Sequence, residues 1–119
     1  MDKFDLEERL IDFSVTIIKI VEEMPNTRSS NHLAGQLIRS GTSPSLNYGE
    51  AQSAESRKDF VHKLKIALKE LRETYICLKI ISKARLYSDK NILNKTEVEN
   101  NELISIFVKS VETAQKNLK

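Results

Sequence analysis

The side chains in this sequence from which chemistry could be built are two histidines, one cysteine and a long file of lysines. Arg57 and His62 stand in the order Arg-x4-His. Asp59-x-x-His62 has the i, i+3 spacing of half a two-metal site inside a helical bundle. That site needs a second carboxylate–histidine pair and two further carboxylates, and His32 has no acid at the required spacing. Asp59 is better explained as part of a helix cap, so no metal and no cofactor is expected. The lone Cys77 cannot form an internal disulfide or a cysteine-rich zinc site, and is expected as a small buried apolar residue. No glycine loop for phosphate, nucleophile elbow or matched acid–base pair is present, so the chain is expected not to be an enzyme and to have no small-molecule substrate.

The pattern with the most physical content is basic. Lys58, Lys65, Lys69, Arg72, Lys79 and Lys83 recur at steps of three, four and seven, which places them on one stripe of a helix. Within that helix Glu73 is the one acid that borders the stripe closely. Solvated faces usually mix the two signs of charge, whereas this one extends over about seven turns of roughly 5.4 Å each, a length comparable to several phosphate spacings. The stripe reads either as a face for nucleic acid or as an ordinary solvated surface.

These residues need helices to hold them. Three glycines, two prolines, no tryptophan and 30% charged residues describe amphipathic helices rather than sheets. The first helix is expected from about Lys3 to Met24, with Leu6, Leu10, Phe13, Ile17, Ile20, Val21 and Met24 facing inward, and Pro25 ends it. The second should begin near Ser30 or Asn31 and reach about Ser53, kinked or interrupted at Gly41-Thr42-Ser43-Pro44. Ser43, Asn47 and Glu50 lie three or four apart and could form a polar stripe that satisfies backbone groups freed at the proline.

Ser56 caps the third helix, which carries Phe60, Leu64, Ala67, Leu68, Leu71, Tyr75 and Leu78 on its main face and ends near Leu86. Residues 87–91 read as a polar turn, and Thr96-x-x-Glu99 as the capping box of a fourth helix with Leu103, Phe107, Val111 and Leu118 inward. The fold expected is an all-α, antiparallel up-down four-helix bundle in which residues 1–119 form one domain. Second apolar stripes are left over: Ile11, Val15 and Ile18 on the first helix, and Ile66, Cys77, Ile80, Ile81 and Ala84 on the third. They predict a wide core or an interface between copies of the chain.

Charge is unevenly spread. Residues 1–24 hold seven acids and three bases, whereas residues 28–86 hold eleven bases and five acids. The acidic start is unlike a secretory signal, and no apolar run approaches the length of a membrane span. A cytoplasmic location without a membrane partner is expected.

The stretch from Arg39 to Thr74 contains Arg-Ser-Gly-Thr-Ser, Asn47-Tyr48-Gly49-Glu50-Ala51-Gln52, Ala54-Glu55-Ser56-Arg57-Lys58-Asp59-Phe60 and Lys63-Leu64-Lys65-Ile66-Ala67-Leu68-Lys69-Glu70. It resembles the bacterial four-helix-bundle family encoded in intervening sequences of 23S rRNA genes, often labelled ribosomal-protein-like. It is similar also to the accessory bundle proteins of diversity-generating retroelements. The resemblance implies a homopentamer with a basic surface that binds structured nucleic acid, and it carries over no catalytic residues. Pro44 directly after Ser43 departs from the family pattern. The Arg57-x4-His62 spacing is similar to that of ribonucleases of the HEPN type, except that Lys58 stands where a polar residue usually follows the arginine. The leading expectation is an oligomeric, non-enzymatic binder of structured RNA, and the alternatives are a protein-interaction module or a HEPN-like ribonuclease.

Overall fold

A computed structural model describes residues 1–118 of the chain. Four helices account for nearly all of it: α1 (Lys3–Glu23), α2 (Arg28–Gln52), α3 (Arg57–Lys83) and α4 (Lys90–Lys116). Each begins on a side chain that accepts a backbone N–H otherwise left without a partner. Asp2 takes those of Phe4 and Asp5, Thr27 that of Ser30, Ser56 that of Asp59 and Asp89 that of Ile92.

Two of these starts differ from expectation. The second helix begins on Thr27, which leaves Ser30 fully buried in the first turn. The fourth begins on Asp89, a full two turns before Thr96. Burial explains the early start, because Leu93 is 1% exposed and packs into the core, so the amphipathic face already exists there. Thr96 is mid-helix and buried, and its hydroxyl donates to the Ile92 carbonyl at 2.6 Å.

The stops are equally physical. Met24 is extended before Pro25, as the proline ring requires. At the end of α3, Arg85 adopts the left-handed conformation with φ 57°, and Leu86 N–H donates to the Ile81 carbonyl at 3.0 Å. This is a Schellman closure with an arginine where glycine is usual.

Successive helices pack side by side, and α1 and α4 touch only sparsely. The backbones of α1 and α3, and of α2 and α4, nowhere come within 8 Å of each other, so those pairs occupy diagonal corners of an up-down bundle, across which side chains such as Tyr48 and Phe107 still meet. The molecule measures 49 × 24 × 20 Å. Its core is Leu10, Ile17, Ile20, Leu37, Leu64, Leu71, Leu78, Ile81, Leu93, Leu103 and Phe107, all essentially without solvent contact.

Helix α3 packs extensively on both neighbours and therefore buries a wide arc. Cys77 and Ile81 belong to that arc, so for these two the second apolar stripe is part of a wide core, while Ile80 stays 44% exposed. Leu118 is 45% exposed and falls outside the core, and Ala114 is buried in the last turns of α4 instead.

Pro44 does not interrupt α2, which runs unbroken from Arg28 to Gln52. Polar side chains crowd the backbone around it. Thr42 Oγ1 donates to the Ile38 carbonyl, Ser45 Oγ to that of Thr42, and Asn47 Nδ2 to that of Ser43. From α1, Ser14 Oγ lies 3.4 Å from the Gly41 carbonyl and 3.0 Å from Ser45 Oγ. The Ser40 carbonyl, which loses its N–H partner to the proline, receives none of these side-chain bonds. The α1–α2 seam is tight here, because a Cβ on Gly41 would meet Ile17 Cγ2 at 2.7 Å.

Candidate nucleic-acid interface

All six expected cations, Lys58, Lys65, Lys69, Arg72, Lys79 and Lys83, are exposed. The file they form has two further members that the spacing argument did not include. His62 and Ile76 are also exposed, and with them the positions 58, 62, 65, 69, 72, 76, 79 and 83 alternate steps of four and three without a gap. Such alternation stays on one side of a helix that packs in a bundle. It therefore defines the outermost ridge of α3, about 37 Å long at 1.5 Å per residue. Ile76, 57% exposed, divides it into a longer N-terminal and a shorter C-terminal part.

The charge on this ridge is kept positive from the α2 side. Arg39 of α2 donates to Glu70 at 2.9 Å and also pairs with Glu73, the acid that borders the stripe. One guanidinium thus offsets two carboxylates beside the lysines. On the α4 side, Lys79 Nζ lies 3.1 Å from Glu97 and sits over the Tyr75 ring. Contact with the Glu97 carboxylate, and after it with the Tyr75 hydroxyl, raises the Lys79 pKa. Lys79 is the one stripe cation with an ion pair among the described residues; the other five have none.

The three residues of the polar motif on α2 part company. Asn47 Nδ2 donates to the Ser43 carbonyl at 3.0 Å and to Ser43 Oγ at 2.9 Å. Glu50 instead accepts from Lys63 of α3 at 2.8 Å, a contact that raises the Lys63 pKa. Ser14, Thr42 and Ser45, which share the work around Pro44, were not part of the motif read from the sequence.

Arg57 and His62 do not form a pair. Arg57 lies against the Phe60 ring, 5.4 Å from its centroid, and lines a concavity with α4, whereas His62 is on the outer ridge. No hydrogen bond joins them among the described residues. Within the same limits, no three His, Cys, Asp or Glu side chains gather closely enough to hold a metal ion. No helix is long and apolar enough to cross a membrane.

A contrasting surface lies where α1 and α4 diverge. Arg9 makes a two-pronged contact with Glu99 at 2.6 and 2.7 Å, which raises its pKa. Toward the other end of α1, the Tyr87 hydroxyl donates to Glu23, and burial together with that carboxylate pushes the Tyr87 pKa up to about 12. Between these ties runs a groove of about 630 Å³ lined by Phe13, Ile18, Ile92 and the charged side chains Asp12, Lys19, Glu22, Glu23, Lys95 and Glu99. Ile11, Val15 and Ile18 along α1 are 41%, 43% and 40% exposed.

Comparison with known proteins agrees with this architecture. A solved structure from Bacteroides thetaiotaomicron VPI-5482, described as a protein with unknown function from the S23 ribosomal protein family, superposes with a TM-score of 0.85. The two are 28% identical over 94% of this chain and 99% of that one. No curated protein matches the chain. The family model for the 23S rRNA-intervening sequence protein matches residues 2–109. Neither description names a catalytic activity. By that match over nearly its whole length, the chain belongs to the 23S rRNA-intervening sequence protein family.

Proposed function

We propose that this protein is a non-enzymatic, self-associating bundle that holds structured nucleic acid, RNA in preference to DNA, along the outer ridge of α3. The observation that carries the reading is the ridge itself: five cations without ion pairs, no carboxylate among them, and the bordering Glu70 and Glu73 tied to Arg39. Its length of about 37 Å spans several phosphates of a duplex. Contacts from lysine are to phosphate, so recognition is by shape and charge rather than by base sequence. The half-exposed isoleucines of α1 support contact between copies, and the family resemblance makes five the number expected. A ring would repeat the ridge once per subunit and convert weak contacts into strong binding.

Fluorescence anisotropy with a labelled RNA hairpin over a range of salt tests this. Neutralising about four phosphates predicts roughly a hundredfold loss of affinity between 50 and 200 mM salt. The double variant Lys65→Glu/Arg72→Glu, at two exposed positions, should lose binding while keeping helicity and assembly mass. Parental affinity in that variant would leave the ridge a solvated surface and favour a protein-interaction role through α1.

A further inference from the structure

A second concavity lies beside the first turn of α3, where the C-terminal parts of α2 and α4 meet it. Its volume is about 330 Å³, at the lower end of what small-ligand sites occupy. Its composition is unlike that of the α1–α4 groove. No carboxylate lines it, and two cations do: Arg57 and Lys109, neither of them in an ion pair among the described residues. Two aromatic rings also line it: Phe60, partly exposed with the Arg57 guanidinium over it at 5.4 Å, and the buried Tyr48. Tyr48 is fixed from behind by an edge-to-face contact with Phe107 at 5.8 Å, and its hydroxyl has no hydrogen-bond partner among the described residues. Thr113 and Asn117 add a hydroxyl and an amide at the rim.

A partly exposed ring to stack on, Phe60, with the buried Tyr48 ring as a floor, a planar guanidinium, a lysine and hydrogen-bonding groups are what an unstacked base with its phosphate requires. Arg57 and Lys58 are the first two residues of α3, so the pocket flanks the N-terminal end of the ridge, about a quarter turn around the helix from it. We infer that this pocket receives one unpaired nucleotide of an RNA whose paired region lies along the ridge of α3. This rests on the nucleic-acid reading above and adds to it a preference for RNA with a base out of its stack. The acids near Tyr48, Asp2 and Glu7, belong to the start of α1 and do not line the pocket.

The full chain, isotopically labelled and followed by NMR, is titrated with adenosine 5′-monophosphate, with inorganic phosphate and with adenosine. Binding of two hairpins, one fully paired and one with a single bulged adenosine, is measured alongside. The expected result is saturable shifts from the monophosphate at Arg57, Phe60, Lys109 and Thr113, much weaker ones from phosphate or adenosine alone, and tighter binding of the bulged hairpin. Phe60→Ala should cut the affinity for the monophosphate about tenfold, as loss of a stacking partner does. Because Phe60 is partly buried, Lys109→Glu at an exposed position is the second variant, and it should remove the preference for the bulge while leaving the paired hairpin bound.

No shifts from the monophosphate, or shifts at the ridge lysines instead, would overturn the inference. Equal shifts from phosphate alone would reduce the pocket to an anion site and overturn it as well. Hairpins bound without preference for the bulge would refute the RNA assignment while sparing the ridge. If neither hairpin binds but the monophosphate still fills the pocket, the nucleic-acid reading falls and the occupant is a free nucleotide.

Discussion

Helices α1 and α3 stand at diagonal corners of the same bundle and treat their outer sides in opposite ways. Helix α3 is packed on two neighbours, buries a wide arc and exposes a ridge made of charge with one isoleucine in it. Helix α1 is packed on one neighbour and only tied to the other, and it exposes Ile11, Val15 and Ile18 among acids. A helix held on both sides can leave its outer face wholly to solvent or to phosphate. A helix held on one side keeps apolar surface that another copy of the chain can cover.

The largest effect expected from testing this contrast is on stability. Leu71 of α3 has no solvent contact, so Leu71→Ala should cost about 3 kcal/mol in chemical denaturation at fixed protein concentration. A cost below about 1 kcal/mol would mean that α3 is less firmly held than its packing indicates. Next comes Gly41→Ala in the α1–α2 seam. The added methyl would sit 2.7 Å from a fully buried Ile17, so the gain in helix propensity, about 1 kcal/mol, should be outweighed by overpacking of about 1–3 kcal/mol. A more stable variant would show that α1 shifts freely along its single firm seam. The smallest effect on the subunit's own stability, and the sharpest on assembly, belongs to Ile18→Glu. It should change stability by no more than about 0.5 kcal/mol but lower the mass measured by light scattering. An unchanged oligomer would move the interface away from this face. A parent that scatters as a 13.6 kDa monomer would remove the interface altogether.

Much of this contrast was legible in the sequence. Spacing alone placed six cations on one side of a helix and set Ile11, Val15 and Ile18 apart as a second apolar stripe, for a wide core or an interface. Caps were legible where one candidate stood at a boundary, as Ser56 does. They misled where two competed, and Thr96-x-x-Glu99 lost to Asp89 because burial of Leu93 extends the helix toward its N-terminus. The leftover apolar positions of α3 allowed a wide core or an interface, and spacing could not separate the buried Cys77 and Ile81 from the exposed Ile80, because how wide an arc a helix buries depends on its neighbours. The Arg39 clamp on Glu70 and Glu73 was invisible because its partners are more than thirty positions apart, and sequence spacing does not encode contacts between helices. The same holds for the pocket at Phe60 and Lys109, which three helices build together. At Pro44 the penalty for an interior proline was anticipated, but the hydroxyls and the amide that surround the unbroken backbone come partly from α1, outside the range of local reasoning.

The diagonal placement of α1 and α3 has a consequence for the approach of a partner. Seven acids and three bases lie in the first 24 residues, while α3 carries the basic ridge at the opposite corner, across a body only 24 × 20 Å in section. Although the net charge is a modest +2, the subunit is an electric dipole directed across its short axis. Near a polyanion such a dipole feels a torque as well as an attraction, so collisions arrive already turned with the ridge inward. Productive encounters at low ionic strength then depend on the separation of charge within the molecule more than on its total, and a variant that keeps +2 but exchanges charges between the two corners would approach the wrong way round.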